Sequence, residues 1–424
     1  MIERFQSDSL LRNSLYIMAT TISQSGLGFI FWLVAARGSS AHDVGLAAAL
    51  ISGVTLVSLL SSIGISGSLI QLLPGREPGY ERSRLLCAGY AAGICTGLVA
   101  AAITVVALPF FSAQFRILHT DGGYISAFVI GVPLWTVATL LDNTFLAERR
   151  AGAMLARATS ASLLKTAILL AILPLTMLGA LGIFGASVLA SVGGVGAGII
   201  LLIRLDRNYR LVVHGLVGQA RSMVASALGN HLIHLGSTIV PLLLPPLVTA
   251  RLSATDNAYF YTTWMVGGIF LVISPAVASS LFAEGSHDAN DLRERTVRSA
   301  RVITLMMLPL MAVYLLGGQL ILGLFGVQYA QHGHWLLIFM VISAIPDAIT
   351  NLFVSVLQVR RRLAEAARLN LGMAAISLVL TWLLLPSLGI EGVGVAWLIG
   401  QSCGSLYVWR RRATAFTPAE QMSP

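Results

Sequence analysis

Three ionisable residues lie inside long apolar stretches of this sequence, where charge is costly. Lys165 is the only lysine in the chain and lies near the middle of one stretch, while Asp142 and Asp347 lie in two others. A charged side chain at the centre of a bilayer costs about 2.5–3.5 kcal/mol on insertion scales, so it normally faces the protein interior or a wet cavity. Lys165 is therefore a candidate for binding an anionic substrate. Snorkelling of its amine towards the cytosolic end of the stretch, near Arg157, is the alternative.

Asp142 and Asp347 could each have one of several roles, which the sequence does not distinguish. Asp142 lies two turns from Arg149 and could pair with it, whereas Asp347 is one turn before Asn351. Either carboxylate could bind a proton or Na⁺ and couple an ion gradient to movement, or could neutralise a cation such as Lys165. We therefore treat Asp347, Asp142 and Asn351 as candidates for coupling or charge balance.

Two polar stripes run along apolar stretches that correspond to each other in the two halves of the chain. Asn230, His234 and Ser237 recur at a spacing that keeps them on one face of a helix, and Thr20 and Gln24 share a face of another. A single histidine is usually a satisfied core residue. Matched stripes on equivalent helices instead predict that both line a wet, substrate-binding cavity.

Membrane-spanning helices must hold these residues in place, and the composition of the chain predicts such helices. Hydrophobic residues make up 56% of the 424 residues and charged residues only 11%, whereas soluble domains are about 25% charged. A helix needs roughly 20 apolar residues to cross about 30 Å of hydrocarbon. We predict twelve spans, at residues 14–36, 43–73, 83–108, 122–147, 154–178, 181–203, 219–248, 257–283, 298–317, 334–359, 363–385 and 390–409.

The basic residues are divided unequally between the two sides of these spans. Nearly all of the 27 lysines and arginines, Arg157 among them, fall on the side of both termini, and the other side has only Arg37, Arg116 and Arg251. The positive-inside rule therefore predicts a multi-pass membrane protein with both termini in the cytoplasm. The net charge of +9 follows from this topology and from anionic lipid, so we expect no nucleic-acid partner.

Arg37 and Arg251 end equivalent spans on the outer side, where basic residues are rare. Anchoring to lipid headgroups and to the last carbonyl groups of each helix is the favoured interpretation. Contact with an anionic substrate at the exit is the alternative.

The second six spans repeat the first six. Matching segments are Ala36-Arg37-Gly38-Ser39 with Ala250-Arg251-Leu252-Ser253, Arg149 with Arg360, and Leu181-Gly182-Ile183 with Leu388-Gly389-Ile390. Six spans per half make the repeats parallel, as in transporters whose substrate path lies between two halves. We predict an all-α membrane protein with an N-terminal lobe at residues 1–207 and a C-terminal lobe at residues 208–424, around a central cavity.

Several kinds of chemistry find no support in the sequence. Cys87, Cys95 and Cys403 lack the spacing of metal ligands, and no cluster of carboxylates resembles a catalytic site. The glycine-rich stretch 193–198 would need a preceding strand to act as a phosphate-binding loop, so it is interpreted as helix packing. We therefore expect no enzymatic activity, no metal and no cofactor, with proton or Na⁺ coupling left open.

The first spans carry a recognisable pattern. Leu11-Arg-Asn-Ser-Leu15 through Gly28-Phe-Ile-Phe-Trp-Leu-Val-Ala-Ala-Arg37, then Asp43-Val-Gly-Leu-Ala-Ala-Ala-Leu50 and the segment from Leu59 to Pro74, resemble the bacterial polysaccharide-transport family, which includes O-antigen flippases. That family belongs to the multidrug/oligosaccharidyl-lipid/polysaccharide exporter (MOP) superfamily. The resemblance implies a V-shaped pair of six-helix lobes around a hydrophilic, often cationic cavity. It also implies transfer of undecaprenyl-diphosphate-linked sugars.

The expected function is that of a flippase or exporter. It would move lipid-linked oligosaccharide or polysaccharide precursors from the cytosolic to the outer leaflet by alternating access. Its partners would be the lipid-linked glycan, membrane lipids, and glycan polymerase or glycosyltransferase machinery. A multidrug (MATE-type) ion-coupled drug or cation antiporter, and a membrane-embedded cell-envelope glycan enzyme or assembly scaffold, are the alternatives.

Overall fold

The protein is mainly helical in the part that its computed structural model describes. That part comprises residues 9–62, 64–77, 79–174, 179–206, 208–287 and 291–411, with the side chains of residues 9–11, 224–237 and 283–287 left undescribed. It contains fifteen α-helices and one short 3-10 helix, Ala113–Phe115. The chain forms two compact units, the N-terminal unit at residues 1–246 and the C-terminal unit at residues 247–424. The boundary between the two lobes that was predicted from the repeat, between residues 207 and 208, stays a prediction.

The N-terminal unit begins with eight helices. They are α1 (Ser9–Gly38), α2 (Ala41–Ser61), α3 (Ile65–Leu72), α4 (Tyr80–Phe111), α5 (Ile117–Thr120), α6 (Gly122–Ala147), α7 (Ala151–Ile172) and α8 (Gly179–Leu205). The next helix, α9 (Leu216–Arg251), ends just beyond the limit of this unit. The C-terminal unit then holds α10 (Ala254–Gly267), α11 (Phe270–His287), α12 (Leu292–Gly323), α13 (Val327–Val359), α14 (Leu363–Leu388) and α15 (Glu391–Arg411).

Ten stretches of the described chain are long and apolar enough to cross a membrane, and they coincide with ten of the predicted spans. This confirms the all-α membrane architecture. The other two predicted spans fall in α9, where Thr238–Arg251 counts as a shorter apolar helix, and in α15. The number of twelve spans therefore stays a prediction. Helices suit this setting because hydrocarbon offers no partner for a free backbone N–H or C=O group.

One helix lies at the centre of each unit. In the N-terminal unit α6 packs against α2, α3, α4, α7 and α8, and in the C-terminal unit α13 packs against α10, α11, α12, α14 and α15. These two helices are the fourth and tenth predicted spans, so they correspond in the repeat. Each contains an internal proline, Pro133 in α6 and Pro346 in α13. A side chain on either helix is thus close to several others of its unit.

The repeat is visible in the hydrogen bonds at two equivalent helix starts. The Ser40 hydroxyl donates to Asp43 Oδ2 at 2.6 Å and accepts from the Asp43 N–H at 3.1 Å. Ser253 and Asp256 form the same pair of bonds at 2.6 and 3.0 Å. Such caps satisfy N–H groups that have no partner inside the helix. The structural match thus pairs Ser253 with Ser40, one residue from the alignment suggested by the sequence.

The turns that follow the two central helices are also alike. Arg149 and Arg361 both have a φ of 57°, in the left-handed region that non-glycine residues rarely adopt. Their neighbours make equivalent bonds, from Arg150 N–H to the Phe145 carbonyl and from Arg362 N–H to the Leu357 carbonyl, each 2.8 Å long. Arg149 therefore corresponds to Arg361 rather than to Arg360, a second correction of one residue.

Asp43 has one contact that its equivalent lacks. Its Oδ1 accepts a hydrogen bond from the Ala180 N–H at 3.0 Å, so one carboxylate serves the first turns of both α2 and α8. The approach needs glycine at position 179, since Gly179 has a φ of 45° and an added Cβ would lie 2.9 Å from Asp43 Oδ1. In the described residues of the C-terminal unit, Asp256 caps only its own helix.

Removing the Asp43 carboxylate should therefore cost more stability than removing that of Asp256. We expect Asp43→Ala to lower the free energy of unfolding by about 1 kcal/mol more than Asp256→Ala, because it leaves a second helix start uncapped. The melting temperatures of the two purified variants in detergent measure the difference. Equal losses would contradict the double role of Asp43.

Candidate functional site

The N-terminal unit contains a cavity of about 400 Å³ that gathers several of the polar residues at membrane depth. Its walls come from α1, α2, α6, α7 and α8. The polar side chains that line it are Gln24, Thr139, Asp142, Arg157, Ser162, Lys165, Ser187 and Ser191. Lys165 and Gln24, which the sequence proposed as substrate-binding residues, thus lie around one space with Asp142, which it proposed for coupling or charge balance.

A two-pronged ion pair forms one end of this cavity. Arg157 Nε donates to Asp142 Oδ1 at 2.6 Å, and Arg157 Nη2 donates to Asp142 Oδ2. The Arg157 side chain is buried, and that of Asp142 is 25% exposed. The flat guanidinium group matches both carboxylate oxygens at once, which is the strongest geometry for such a pair. The pair joins α6 to α7 and leaves this end of the cavity close to neutral.

The pairing follows from the hairpin formed by α6 and α7. Asp142 and Arg157 lie equally far along the chain from the turn at Arg149 and Arg150, so antiparallel helices bring them to the same depth. From the sequence, Arg157 was expected on the cytosolic side and Arg149 was a possible partner for Asp142. The pair of Arg157 with Asp142 was not predicted, although their equal distance from the turn was a signal for it.

Glycines on α8 make room for the arginine. An added Cβ at Gly198 would lie 3.0 Å from Arg157 Cδ and 2.8 Å from Leu141 Cδ1, and one at Gly194 would lie 2.8 Å from Ala161 Cβ. Small residues at this spacing allow helices to approach closely. The glycine-rich stretch thus serves packing around Arg157.

Lys165 lies on α7 two turns from Arg157, about 12 Å along the helix axis at 1.5 Å per residue. Its Nζ lies 4.2 Å from the centre of the Phe31 ring, a cation–π contact with a fully buried ring on α1. Within the described residues the amine has no carboxylate partner. Its charge is thus available to an anion in the cavity, a placement that favours the cavity interpretation over snorkelling.

The predicted polar stripes are only partly placed. Gln24 lines the cavity, but Thr20 is buried and its hydroxyl donates to the Tyr16 carbonyl at 2.8 Å. Asn230, His234 and Ser237 belong to α9, and their side chains lie outside the described residues. Their role in a cavity stays a prediction.

Asp347 belongs to a separate polar cluster in the C-terminal unit. Its Oδ2 accepts hydrogen bonds from the Ser274 hydroxyl at 2.6 Å and from Asn351 Nδ2 at 2.9 Å. Asn351 Nδ2 also lies 3.0 Å from Ser274 Oγ. Asp347 is buried, with no basic partner among the described residues. Ser274, on α11, was not identified from the sequence because a serine in an apolar helix carries no distinctive signal.

Arg37 and Arg251, the two arginines predicted to lie on the outer side, have different surroundings. The Arg251 guanidinium carbon lies 4.1 Å from the centre of the Trp382 ring, which is 46% exposed. Arg37 lines a pocket of about 390 Å³ together with Ser40 and Asp43. An arginine on a half-exposed tryptophan is typical of anchoring at a membrane interface. The Arg251 contact therefore favours the anchoring interpretation.

A family model described as "Polysaccharide biosynthesis protein" matches residues 10–230, just over half of the chain. The chain belongs to that family. The resemblance to polysaccharide-transport proteins inferred from the first spans is thereby confirmed. A comparison with curated protein sequences gives no match.

Solved structures of several membrane transporters share the fold. The lipid II flippase MurJ in an inward closed conformation has a TM-score of 0.73 at 12% identity, over 95% of this chain and 89% of that one. An inward-facing multidrug resistance MATE family transporter of the MOP superfamily has a TM-score of 0.64 at 16% identity, over 99% and 100%. A MOP superfamily transporter from Pyrococcus furiosus has a TM-score of 0.58 at 14% identity, over 97% and 96%.

These likenesses show that the chain shares the fold of those transporters. At such low identity they show the fold and carry no individual residue across. The cavity and its charges must therefore be interpreted from this chain's own geometry.

Breaking the Arg157–Asp142 pair from one side should do more harm than removing both charges. Asp142→Asn leaves Arg157 without a counter-ion, and breaking a buried pair in this way typically costs about 3–5 kcal/mol. We expect the double variant Asp142→Asn/Arg157→Gln to melt at a higher temperature than Asp142→Asn alone. Melting temperatures in detergent for wild type, both single variants and the double variant complete the cycle. Strictly additive losses would mean that the two side chains do not interact.

Proposed function

We propose that the protein is a flippase for lipid-linked glycans. It would move an oligosaccharide or polysaccharide precursor from the cytosolic to the outer leaflet of the bacterial cytoplasmic membrane. The observation that carries the proposal is the Lys165 amine, which lies in a polar cavity at membrane depth without a carboxylate partner in the described part of the chain. The likeness of the fold to known transporters supports a transport function, and the positive charge of Lys165 supports an anionic substrate.

The physics of the cargo fits this cavity. A glycan and its diphosphate cannot enter hydrocarbon, whereas the isoprenoid tail can remain in lipid. The head group therefore needs a polar space with a positive charge, and Lys165, Gln24 and the serines of α7 and α8 provide one. No bond is made or broken in such a transfer, so we infer no enzymatic step.

The charge balance of the cavity argues against the cation antiporter. A cationic drug would need a carboxylate that is free to receive it, but both oxygens of Asp142 already accept hydrogen bonds from Arg157. The charge left over is the positive one on Lys165. We therefore favour an anionic cargo.

The proposed orientation, with both termini in the cytoplasm, gains support from an ion-pair cluster at the basic side of the N-terminal unit. Arg82, at the start of α4, pairs with Glu148 in the turn after α6, and Arg82 Nε lies 3.3 Å from Asp206 Oδ2 after α8. The cluster ties together three helix ends on the side to which the positive-inside rule assigns the cytoplasm. On that side, glycosyltransferases would supply the substrate, and we propose such enzymes or a glycan polymerase as partners.

The charge of Lys165 should decide whether the glycan is transferred. We expect Lys165→Met to lower the initial transfer rate about tenfold or more, because a contact to a charged group is worth about 1.5–3 kcal/mol. Lys165→Arg keeps the charge and should keep most of the rate. The assay uses proteoliposomes that contain a lipid-linked oligosaccharide and scores its access to a glycan-binding reagent added outside.

A matched control is Arg301→Met, which removes an exposed basic residue from α12 and should leave transfer unchanged. A wild-type rate in Lys165→Met would remove Lys165 from the site. Failure of the wild-type protein to transfer any lipid-linked glycan, together with dye efflux, would favour the antiporter.

We further propose Asp347 as the residue that couples transfer to an ion gradient. Asp347→Asn keeps the shape of the Ser274–Asn351 cluster but removes its charge, so transfer should no longer respond to an imposed proton or Na⁺ gradient. Transfer rates with and without each gradient measure this, with Asp256→Asn as the control for loss of a carboxylate elsewhere. A full gradient response in Asp347→Asn would refute the assignment.

A further inference from the structure

A second pocket adjoins the cavity that contains Lys165. It has a volume of about 380 Å³ and is bounded by α2, α3, α6 and α9 within the N-terminal unit. Trp135 and Thr139 line both spaces. The volume is within the range of about 300–1,000 Å³ usual for small-molecule sites. Two compartments, the cavity with Lys165 and this second pocket, thus lie side by side along two turns of α6.

Some polar groups that line this second pocket are unused by the protein, whereas those of Thr55, Ser58, Ser62 and Thr139 form hydrogen bonds within it. Among the described residues, the Asn143 amide, the Ser66 hydroxyl and the Thr238 hydroxyl line it and have no hydrogen-bond partner. Ser66 Oγ is also shut off from solvent. A polar group without a partner costs free energy when it is buried. Ser66 carries this cost, and Asn143 and Thr238 present free polar groups to the same space, which indicates that the space receives a polar ligand.

The remaining wall suits the apolar faces of a sugar ring. Trp135, Leu59, Ile70 and Leu242 supply apolar surface beside the polar groups. An acyl or isoprenoid chain would leave Asn143, Ser66 and Thr238 without partners. A sugar presents hydroxyl groups around a ring whose C–H faces pack on aromatic side chains. Its chemistry is therefore complementary to both parts of the pocket.

The arrangement also matches the order of groups in the proposed cargo. In a lipid-linked glycan the first sugar is bonded directly to the diphosphate, so the two binding sites must adjoin. Asp142 and Asn143 are consecutive on α6 and therefore point about 100° apart around the helix, one to each compartment. Trp135 lies at the border between the compartments.

We infer that the second pocket binds the sugar residue nearest the diphosphate, while the cavity with Lys165 binds the diphosphate itself. The sugar packs on Trp135 and hydrogen-bonds to Asn143, Ser66 and Thr238. This inference rests on the proposed function, and it adds a site that selects among glycans. The protein then distinguishes glycans by their first sugar, independently of its grip on the lipid diphosphate.

Binding measurements with two probes test the inference on the full-length protein in nanodiscs. One probe is an isoprenyl diphosphate without sugar, and the other is the same lipid carrying one N-acetylated hexose. We expect Asn143→Ala to weaken binding of the sugar-bearing probe about fivefold, and Asn143→Ala/Ser66→Ala by more than tenfold, at about 1 kcal/mol per neutral hydrogen bond. Binding of the sugarless probe should not change.

Controls separate this inference from folding and from the proposed function. Asn370→Ala, in α14 of the C-terminal unit, should change neither affinity, and Thr238→Val removes a hydroxyl at nearly constant volume if Ser66→Ala fails to fold. Lys165→Met should weaken both probes equally. Equal affinity of the wild-type protein for both probes, or equal weakening of both by Asn143→Ala, would overturn the sugar pocket. Failure of the wild-type protein to bind either probe would overturn the proposed function as well.

Discussion

The arrangement of the candidate site depends on one buried interaction, the pair between Arg157 and Asp142. Two charges taken out of water are tolerated only when their geometry returns most of the lost hydration, as the two-pronged contact does. The pair fixes the depth of α7 against α6, and Gly194 and Gly198 let α8 close over the arginine. Lys165, two turns further along α7, is thereby held at membrane depth against Phe31. The neutralised pair of Arg157 and Asp142 thus positions Lys165, whose charge has no carboxylate partner among the described residues.

The two copies of the repeat agree at the ends of their helices and differ in the middle. The caps at Ser40 and Ser253 and the left-handed turns at Arg149 and Arg361 have the same geometry in both units. The carboxylates of the central helices do not correspond. Asp142 lies seven residues before its turn and pairs with an arginine, whereas Asp347 lies twice as far from its turn and pairs with a serine and an amide. The helix ends thus have the same backbone geometry in both units, whereas the side chains in the middle of the central helices differ in their chemistry.

Much of the fold could be predicted from the sequence, because hydropathy acts over whole spans. Lys165 and Gln24 line a cavity of the N-terminal unit, which agrees with the interior position that a lone charge in an apolar span needs. The substrate-binding role of these residues and the central cavity between the lobes stay predictions. Arg157 was missed because an arginine near a cytosolic helix end already has a topological explanation. Ser274 was missed because its role depends on which helix lies opposite Asp347. The second pocket could not be predicted, because its lining depends on how the helices are packed.

The single bond from the Ala180 N–H to Asp43 has a mechanical consequence. It joins the first turns of α2 and α8, and in the described residues of the C-terminal unit Asp256 makes no such bond to a second helix. Any sliding of α2 along α8 at these first turns must therefore break a hydrogen bond. The helix that Asp256 caps can slide past its described neighbours without breaking an equivalent bond.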